Sequence, residues 1–441
     1  MDTFIQYAQL LLSLSILIVL HELGHFIPAK LFGCRVDKFY LFFNPKFSLF
    51  KKKIGETEYG IGWVPLGGYV KIAGMIDESM DTDGMKKEPE DWEFRSKPAW
   101  QRLIIMVGGV VVNVIVAIVI YGMINLTWGK NFVSLEEINK NGVAVSEYMQ
   151  KAGFETGDKL LRTDVGTPNS FQEMMNAMLL GEAKEVIVER NGKEVTVPIT
   201  KKFARAMIKA RKSGLIGPRM PFVVDTVMQN SGAAKAGLQS GDYVLTCDGQ
   251  QVEFFDEVKG LLKGKENKTI PFTVLRGKDT VLLNVSLNEN AKMGVGLRGL
   301  NIKPEHIEYT SFVKATKDGV KSAVDNIRLQ AKSLTWLFDS EIRGYEEVGG
   351  FASMAKSFTT EWNWHAFWAM TAGLSAMLAL MNILPIPALD GGYVMFILYE
   401  IIFRRKPSQR FMERVLMFFI LLLFSVMIYV NLTDIVKSHF N

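Results

Sequence analysis

The chain has 441 residues, of which 48% are hydrophobic, and its 51 Lys and Arg against 46 Asp and Glu leave a formal net charge of +5. That balance excludes a nucleic-acid footprint spread over the chain, so no nucleic-acid partner is expected. Two cysteines, Cys34 and Cys247, are too few for a disulfide scaffold or a Cys-based zinc site. A mean hydropathy of +0.13 hides apolar runs long enough to exclude a soluble cytosolic enzyme or a disordered scaffold.

The apolar runs occupy residues 4–20, continuing as 27–32 beyond a polar interruption, then 103–128, 364–384 and 415–430. About 20 apolar residues cross a bilayer core, so each run predicts a transmembrane helix. A buried core helix is the alternative for any single run; four of this length argue against it. The first run is expected to stay on the mature chain, because Met1-Asp2-Thr3 is no basic leader and no small-residue cleavage site follows. Lys30, Arg35, Lys38, Lys46 and Lys51 to Lys53 follow the first run, and Arg95, Lys97 and Arg102 precede the second. Arg404, Arg405, Lys406, Arg410 and Arg414 lie between the third and fourth, while the other flanks carry only Lys130, Lys140 and Lys437. The positive-inside rule then sets both basic loops in the cytoplasm and both termini outside with the middle segment. Cys34 and Cys247 fall on opposite sides and cannot pair.

The hydrophilic middle contains a repeat. Ala152-Gly153-Phe154-Glu155-Thr156-Gly157-Asp158 recurs as Ala236-Gly237-Leu238-Gln239-Ser240-Gly241-Asp242. Each copy continues into an apolar pair, a turn, a helical stretch (171–180, 255–262) and two strands. Two copies of one small β-rich module are expected, against the alternative of unrelated turns sharing Gly-Asp. The order resembles PDZ domains of bacterial envelope proteases.

At the inner end of the first run stands His21-Glu22-Leu23-Gly24-His25. Positions i and i+4 share a helix face, so both imidazoles can reach one metal, with the intervening glutamate as general base on water. Composition alone predicts about 0.003 such matches in a chain like this. Ionisable groups inside a membrane span are costly and usually functional, which weakens the alternative of two histidines satisfied by neighbouring helices. Zinc needs a third ligand and an open position. His306, His365 and His439 belong to the outer side by this topology. Asp390, in Asn382-Ile383-Leu384-Pro385-Ile386-Pro387-Ala388-Leu389-Asp390-Gly391-Gly392, arrives at the depth of His21, since each follows about 20 residues of inward helix. Pro385 and Pro387 break that helix, tolerable at depth where backbone lines a cavity. The alternatives are an N-cap role for Asp390 and a simple kink at the prolines.

Taken together, these motifs resemble the bacterial site-2 proteases of the RseP type over essentially the whole chain. Phe94-Arg95-Ser96-Lys97-Pro98, Trp100-Gln101-Arg102 and residues 108–113 add to the likeness, while Gly349-Gly350 departs from an expected Gly-Pro pair. The resemblance implies a polytopic α-helical membrane protein of four transmembrane helices, a membrane-associated β-hairpin or sheet, and two tandem β-rich PDZ-like domains. It implies Zn2+ held by His21, His25 and Asp390, Glu22 as catalytic base, and Asn382, Asn113, Pro385, Gly67 and Gly68 against substrate. The uncharged stretch from Tyr59 to Val70 is similar to the family's hairpin and could offer an edge strand; a soluble cytoplasmic hairpin is the alternative. The acidic, Met-containing stretch 75–93 reads as a solvated loop.

The expected organisation is therefore a first transmembrane helix (1–33), a cytoplasmic or membrane-associated β region (34–101) and a second transmembrane helix (102–128). PDZ-like domains follow at 129–210 and 211–300, then a linker with amphipathic helices (301–362). A third transmembrane helix with its following helix (363–403) and a basic loop with the fourth (404–441) complete it. By the resemblance the protein is a zinc intramembrane protease of the bacterial inner membrane with its active site near the cytoplasmic face. Its partners would be the lipid bilayer, single-pass membrane proteins such as anti-sigma factors after a first cleavage, leftover signal peptides, and peptide or protein ends at the PDZ-like domains. Two rivals are weaker: a PDZ receptor with a mere anchor leaves Glu22 unexplained, and a metal permease fits poorly with one ligand cluster near one face.

Overall fold

The computed structural model describes residues 2–65, 67–75, 88–209, 216–299 and 304–440. Most of the acidic stretch 75–93 lies outside them, as do Leu66 and the side chains of Lys437 and His439. The chain forms two compact units: Met1–Lys130 with Ile307–Thr335 and Tyr345–Asn441, and Asn131–His306 with Trp336–Gly344.

The first unit contains α1 (Asp2–Leu31), α2 (Ala99–Trp128), α3 (Phe312–Leu337, as far as Thr335), α4 (Phe351–Lys356), α5 (Trp364–Ile383), α6 (Asp390–Phe403) and α7 (Gln409–Phe440). Among the described residues four helices are long and apolar enough to cross a membrane, within α1, α2, α5 and α7. In an apolar medium the hydrophobic effect cannot hold helices together, so close packing and polar ties must. Thr371 on α5 donates to Ser13 on α1 at 2.9 Å, and Ser375 donates to the Asn113 carbonyl of α2 at 2.7 Å. Arg102 on α2 pairs with Glu400 on α6 at 2.6 Å, both side chains largely buried. Asn431 and Asp434 of α7 accept the backbone N–H groups of Phe351 and Ser353 at 2.9 and 2.8 Å. The amphipathic stretch expected in the linker includes α3, which packs on α2 where a Cβ on Gly319 would lie 2.7 Å from the Gly122 nitrogen.

A four-stranded sheet lies between α1 and α2 in sequence: β1 (Val36–Leu41), β2 (Phe50–Ile54), β3 (Thr57–Ile61) and β4 (Tyr69–Ile72), in the order β2-β3-β1-β4. The expected hairpin within Tyr59 to Val70 does not form. Its two ends, β3 and β4, pair with opposite sides of β1, the first parallel and the second antiparallel. The glycines serve packing rather than a turn: a Cβ on Gly60 would meet the Tyr40 ring at 2.3 Å, and one on Gly62 the Phe43 carbonyl at 2.2 Å. The hairpin of this sheet is β2 with β3, and β4 is left as an edge.

In the second unit the repeat is longer than the sequence motif suggests. The first array has a three-stranded sheet (Lys159–Thr163, Glu185–Arg190, Lys193–Pro198) and a two-stranded one, Val143–Val145 with Ile216–Pro218. The second repeats these strands as Tyr243–Cys247, Thr269–Arg276 and Asp279–Ser286, adds Gln250–Gln251 as a fourth at the edge, and pairs Val224–Val227 with Val295–Leu297. Each array closes on its own core, around Phe154, Leu160 and Val188 in one and Val244, Phe272 and Val274 in the other.

The shared Gly-Asp has a structural task. Arg190 donates to both oxygens of buried Asp158 at 2.7 and 2.8 Å and to the Gly153 carbonyl at 2.9 Å. Arg276 repeats the pattern on Asp242, at 2.7 Å to each oxygen and 2.8 Å to the Gly237 carbonyl. Burial pushes the Asp242 carboxyl up, but Arg276 and the Gln239 N–H outweigh it and hold the group below the ordinary carboxylate range. A carboxyl depressed by folding stabilises the fold above its ordinary value of 3.8 and loses that contribution as pH falls through the folded value. Asp242→Ala should therefore cost about 1.5–3 kcal/mol at neutral pH. Hydrogen exchange of Tyr243–Cys247 in the intact protein measures it, and the gap to wild type should close on acidification.

Candidate metal centre

His21, Glu22 and His25 lie in the inner part of α1, which continues unbroken past them to Leu31. The i, i+4 spacing brings the two Nε2 atoms within 3.3 Å. Asp390 joins them from α6. It is the first residue of that helix rather than its N-cap, which is Leu389. The turn that delivers it runs through Pro385 and Pro387, with Ile386 N–H donating to Leu384 O at 2.7 Å and Leu389 N–H to Ile386 O at 2.8 Å. Gly391 and Gly392 let the helix start close over this turn, since a Cβ on either would lie 2.2 Å from the Leu384 carbonyl or 2.3 Å from the Pro387 Cα.

Asp390 Oδ2 stands 3.3 Å from His21 Nε2 and 3.3 Å from His25 Nε2. Three donor atoms at one mutual separation form the face of a tetrahedron. Zinc bonds to nitrogen and oxygen of about 2.0–2.1 Å place tetrahedral ligands about 3.3 Å apart, so the set fits zinc and leaves a fourth position open. Among the described residues these three form the one cluster of His, Cys, Asp or Glu with metal-binding geometry. His306 lies instead against Asn131 and His365 against Trp128.

α2 makes room for the centre and orients it. A Cβ on Gly24 would lie 2.5 Å from the Gly108 carbonyl, and one on Gly109 would lie 2.4 Å from His25 Nε2 and 2.5 Å from His21 Cε1. At this distance the Ile105 carbonyl receives a 2.8 Å hydrogen bond from His25 Nδ1, which leaves Nε2 its lone pair for a metal. Glu22, 8% exposed, faces the cavity beside Val70 of β4. Gly68 permits this approach, because a Cβ there would lie 2.5 Å from Ile18 Cγ2 and 3.4 Å from Glu22 Cγ.

A cavity of about 650 Å³ opens on the cluster, lined by His21, Glu22, His25, the strand Gly68–Val70, Asn382 and the turn Pro387–Asp390. Asn382 Nδ2 lies 3.2 Å from His21 Nε2. Of the residues expected against substrate, Asn382 and Gly68 thus line the cavity and three others do not. Pro385 is exposed and Pro387 lines the cavity instead, while Gly67 sits over the Phe43 ring. Asn113 is fully buried, its amide 3.1 Å from His21 Nδ1. Ile105 and Gly109 escape a sequence reading, since one acts through a backbone carbonyl and the other through an absent side chain.

Apolar helices of membrane-spanning length around a His-His-Asp face with an adjoining glutamate are the layout of an intramembrane zinc metallopeptidase. The chain belongs to Peptidase family M50, whose family model matches residues 9–426. It is 26% identical over 426 residues to the regulator of sigma-E protease RseP of Escherichia coli, covering 91% of this chain and 92% of that one. The regulator of sigma E protease of Haemophilus influenzae is similar to the same degree, 26% over 425 residues and 91% of each chain. A provisionally named zinc metalloprotease of Clostridium perfringens matches at 26% over 432 residues and 97% of each chain. The protein is accordingly a zinc metallopeptidase with Zn2+ as its cofactor, acting as a membrane protease on membrane-protein substrates.

The crossing of α1 and α2 yields a test. Gly109→Ala should lower zinc affinity about 10-fold or more, because its Cβ occupies space held by both imidazoles. Gly122→Ala on the same helix, where the nearest atom is an ordinary 3.5 Å away, should leave affinity unchanged. Chelator competition on the two purified variants separates these outcomes.

Proposed function

We propose that the chain cleaves transmembrane segments of single-pass membrane proteins, with His21, His25 and Asp390 as zinc ligands and Glu22 as general base. The observation that carries this is the 3.3 Å triangle of ligand atoms beside Glu22 in a cavity bordered by an edge strand. A transmembrane helix hides its carbonyls in its own hydrogen bonds, so a scissile segment must first be drawn out. The edge strand β4 offers main-chain pairing to such a segment, and the Asn382 amide, with Gly68 giving close access, holds it over the cluster. Bound zinc supplies a Lewis acid that polarises the scissile carbonyl and acidifies water. Glu22 takes the proton of the attacking water and returns it to the leaving amine. Glu22→Gln should cut turnover by roughly 10²–10⁴-fold while zinc content stays near wild type. His21→Ala, His25→Ala and Asp390→Ala should each lose zinc, measured by metal analysis of the purified variants.

In this reading the protein sits in the bacterial inner membrane with both termini and the second unit outside, and the basic loops and active site toward the cytoplasm. The Lys and Arg asymmetry supports that orientation. The duplicated arrays are read as tandem PDZ-like domains, the first extending to Pro218 because Ile216–Pro218 pairs with Val143–Val145. Substrates would include anti-sigma factors, supported by the names of the two sigma-E relatives, and leftover signal peptides. The PDZ-like domains would meet protein ends and admit substrates already trimmed outside. Deleting about residues 130–300 should then raise cleavage of untrimmed substrate relative to trimmed. Equal loss on both would make the domains structural supports rather than a filter.

A further inference from the structure

We infer that Asn113 is a positioning residue for the zinc ligand His21, accepting the Nδ1 proton of that imidazole through Oδ1. The inference rests on the metal-centre reading and reassigns a residue expected against substrate. Three observations carry it. Asn113 has no exposed surface and does not line the cavity, so substrate cannot reach it. Its amide end lies 3.1 Å from His21 Nδ1, the ring nitrogen turned away from the ligand face. Its Oδ1 is among the few buried side-chain atoms, of the described residues, that have no hydrogen-bond partner.

Chemistry selects the orientation. His21 can ligate through Nε2 only if that atom keeps its lone pair, so in the neutral ring the proton resides on Nδ1. A group facing Nδ1 must then accept, and the amide nitrogen cannot. A half-turn of the near-symmetric amide brings Oδ1 to Nδ1 and gives the partnerless oxygen its donor. α2 thereby serves both ligands in the same manner, the Ile105 carbonyl taking the Nδ1 proton of His25 and the Asn113 side chain that of His21. The two helices cross antiparallel through Gly24, Gly108 and Gly109, so Asn113 and Ile105 fall opposite His21 and His25 in turn. Asn113 is itself held from α5, where Ser375 donates to its carbonyl at 2.7 Å. Partners of this kind fix a ligand's tautomer and ring angle, and their loss costs about 10–100-fold in metal affinity.

The test compares Asn113→Leu, which cannot accept, with Asn113→Asp, which can. Zinc affinity is measured by chelator competition, and the visible spectrum of the cobalt-substituted protein reports ligand geometry. Asn113→Leu should bind zinc about 10–100-fold more weakly with an altered cobalt spectrum, and Asn113→Asp should restore both. If Asn113→Leu does not fold, as judged by its helical circular dichroism, Asn113→Ala takes its place in the same comparison. Wild-type zinc affinity without an acceptor, or equal loss in the accepting and non-accepting variants, would overturn the assignment. A raised KM with unchanged zinc affinity would return Asn113 to substrate binding. Failure of the underlying reading looks different: His21→Ala would then retain zinc.

Discussion

At Gly24 and Gly108 the backbones of α1 and α2 touch, and a Cβ on either residue would lie 2.5 or 2.0 Å from the other's carbonyl oxygen. Any larger residue would push the helices apart by about 1 Å or more, enough to stretch the hydrogen bonds of 2.8 and 3.1 Å beside the crossing out of range. The Ile105 carbonyl would leave His25, the Asn113 amide would leave His21, and the space over Gly109 that both imidazoles use would close. The metal-binding face on α1 therefore depends on α2, which contributes no ligand. A centre in an apolar interior needs this support, because the cost of burying its polar groups is met only when each has a partner.

Asp390 depends on a second close approach. The chain leaves α5 at Ile383, turns through Leu384–Leu389 and re-enters a helix at once, which gives the carboxylate a first-turn position facing α1. Helix-start geometry normally turns an aspartate back on its own backbone as an N-cap. Here Leu389 occupies that position, so the carboxylate is released for the histidines. The Arg102–Glu400 pair ties the same α6 to α2, and one helix thus references both halves of the His-His-Asp cluster.

Much of this was legible in the sequence where one local pattern carried the information. The four long helices follow from the apolar runs, and the meeting of His21, His25 and Asp390 follows from i, i+4 spacing plus equal depth. The sheet was not legible, because the parallel pairing of β1 with β3 joins strands separated in sequence by β2 and leaves no pattern within Tyr59 to Val70. The duplicated arrays were half legible. Gly-Asp marked them, but the short outer strands Val143–Val145 and Ile216–Pro218 are too brief to show a period, and the arginine that each aspartate holds lies over 30 residues away. Local rules brought His21, His25 and Asp390 together, while contacts across the fold decided what orients them.

The position of β4 links the sheet to the chemistry. Backbone N–H and C=O groups taken out of a helix inside a bilayer have no water to receive them, so an opened segment is stable only where other backbone groups are presented. A sheet edge supplies such groups in a row at the spacing of an extended chain. In this protein that edge runs beside Glu22, since Gly68 to Val70 and Glu22 line the same cavity and Gly68 lets the strand pass against the Glu22 side chain. A segment paired along β4 would therefore be registered against Glu22 by main-chain bonds, independently of its side chains. Such a site selects for a segment that can be opened, and it leaves the choice among proteins to features outside the cavity.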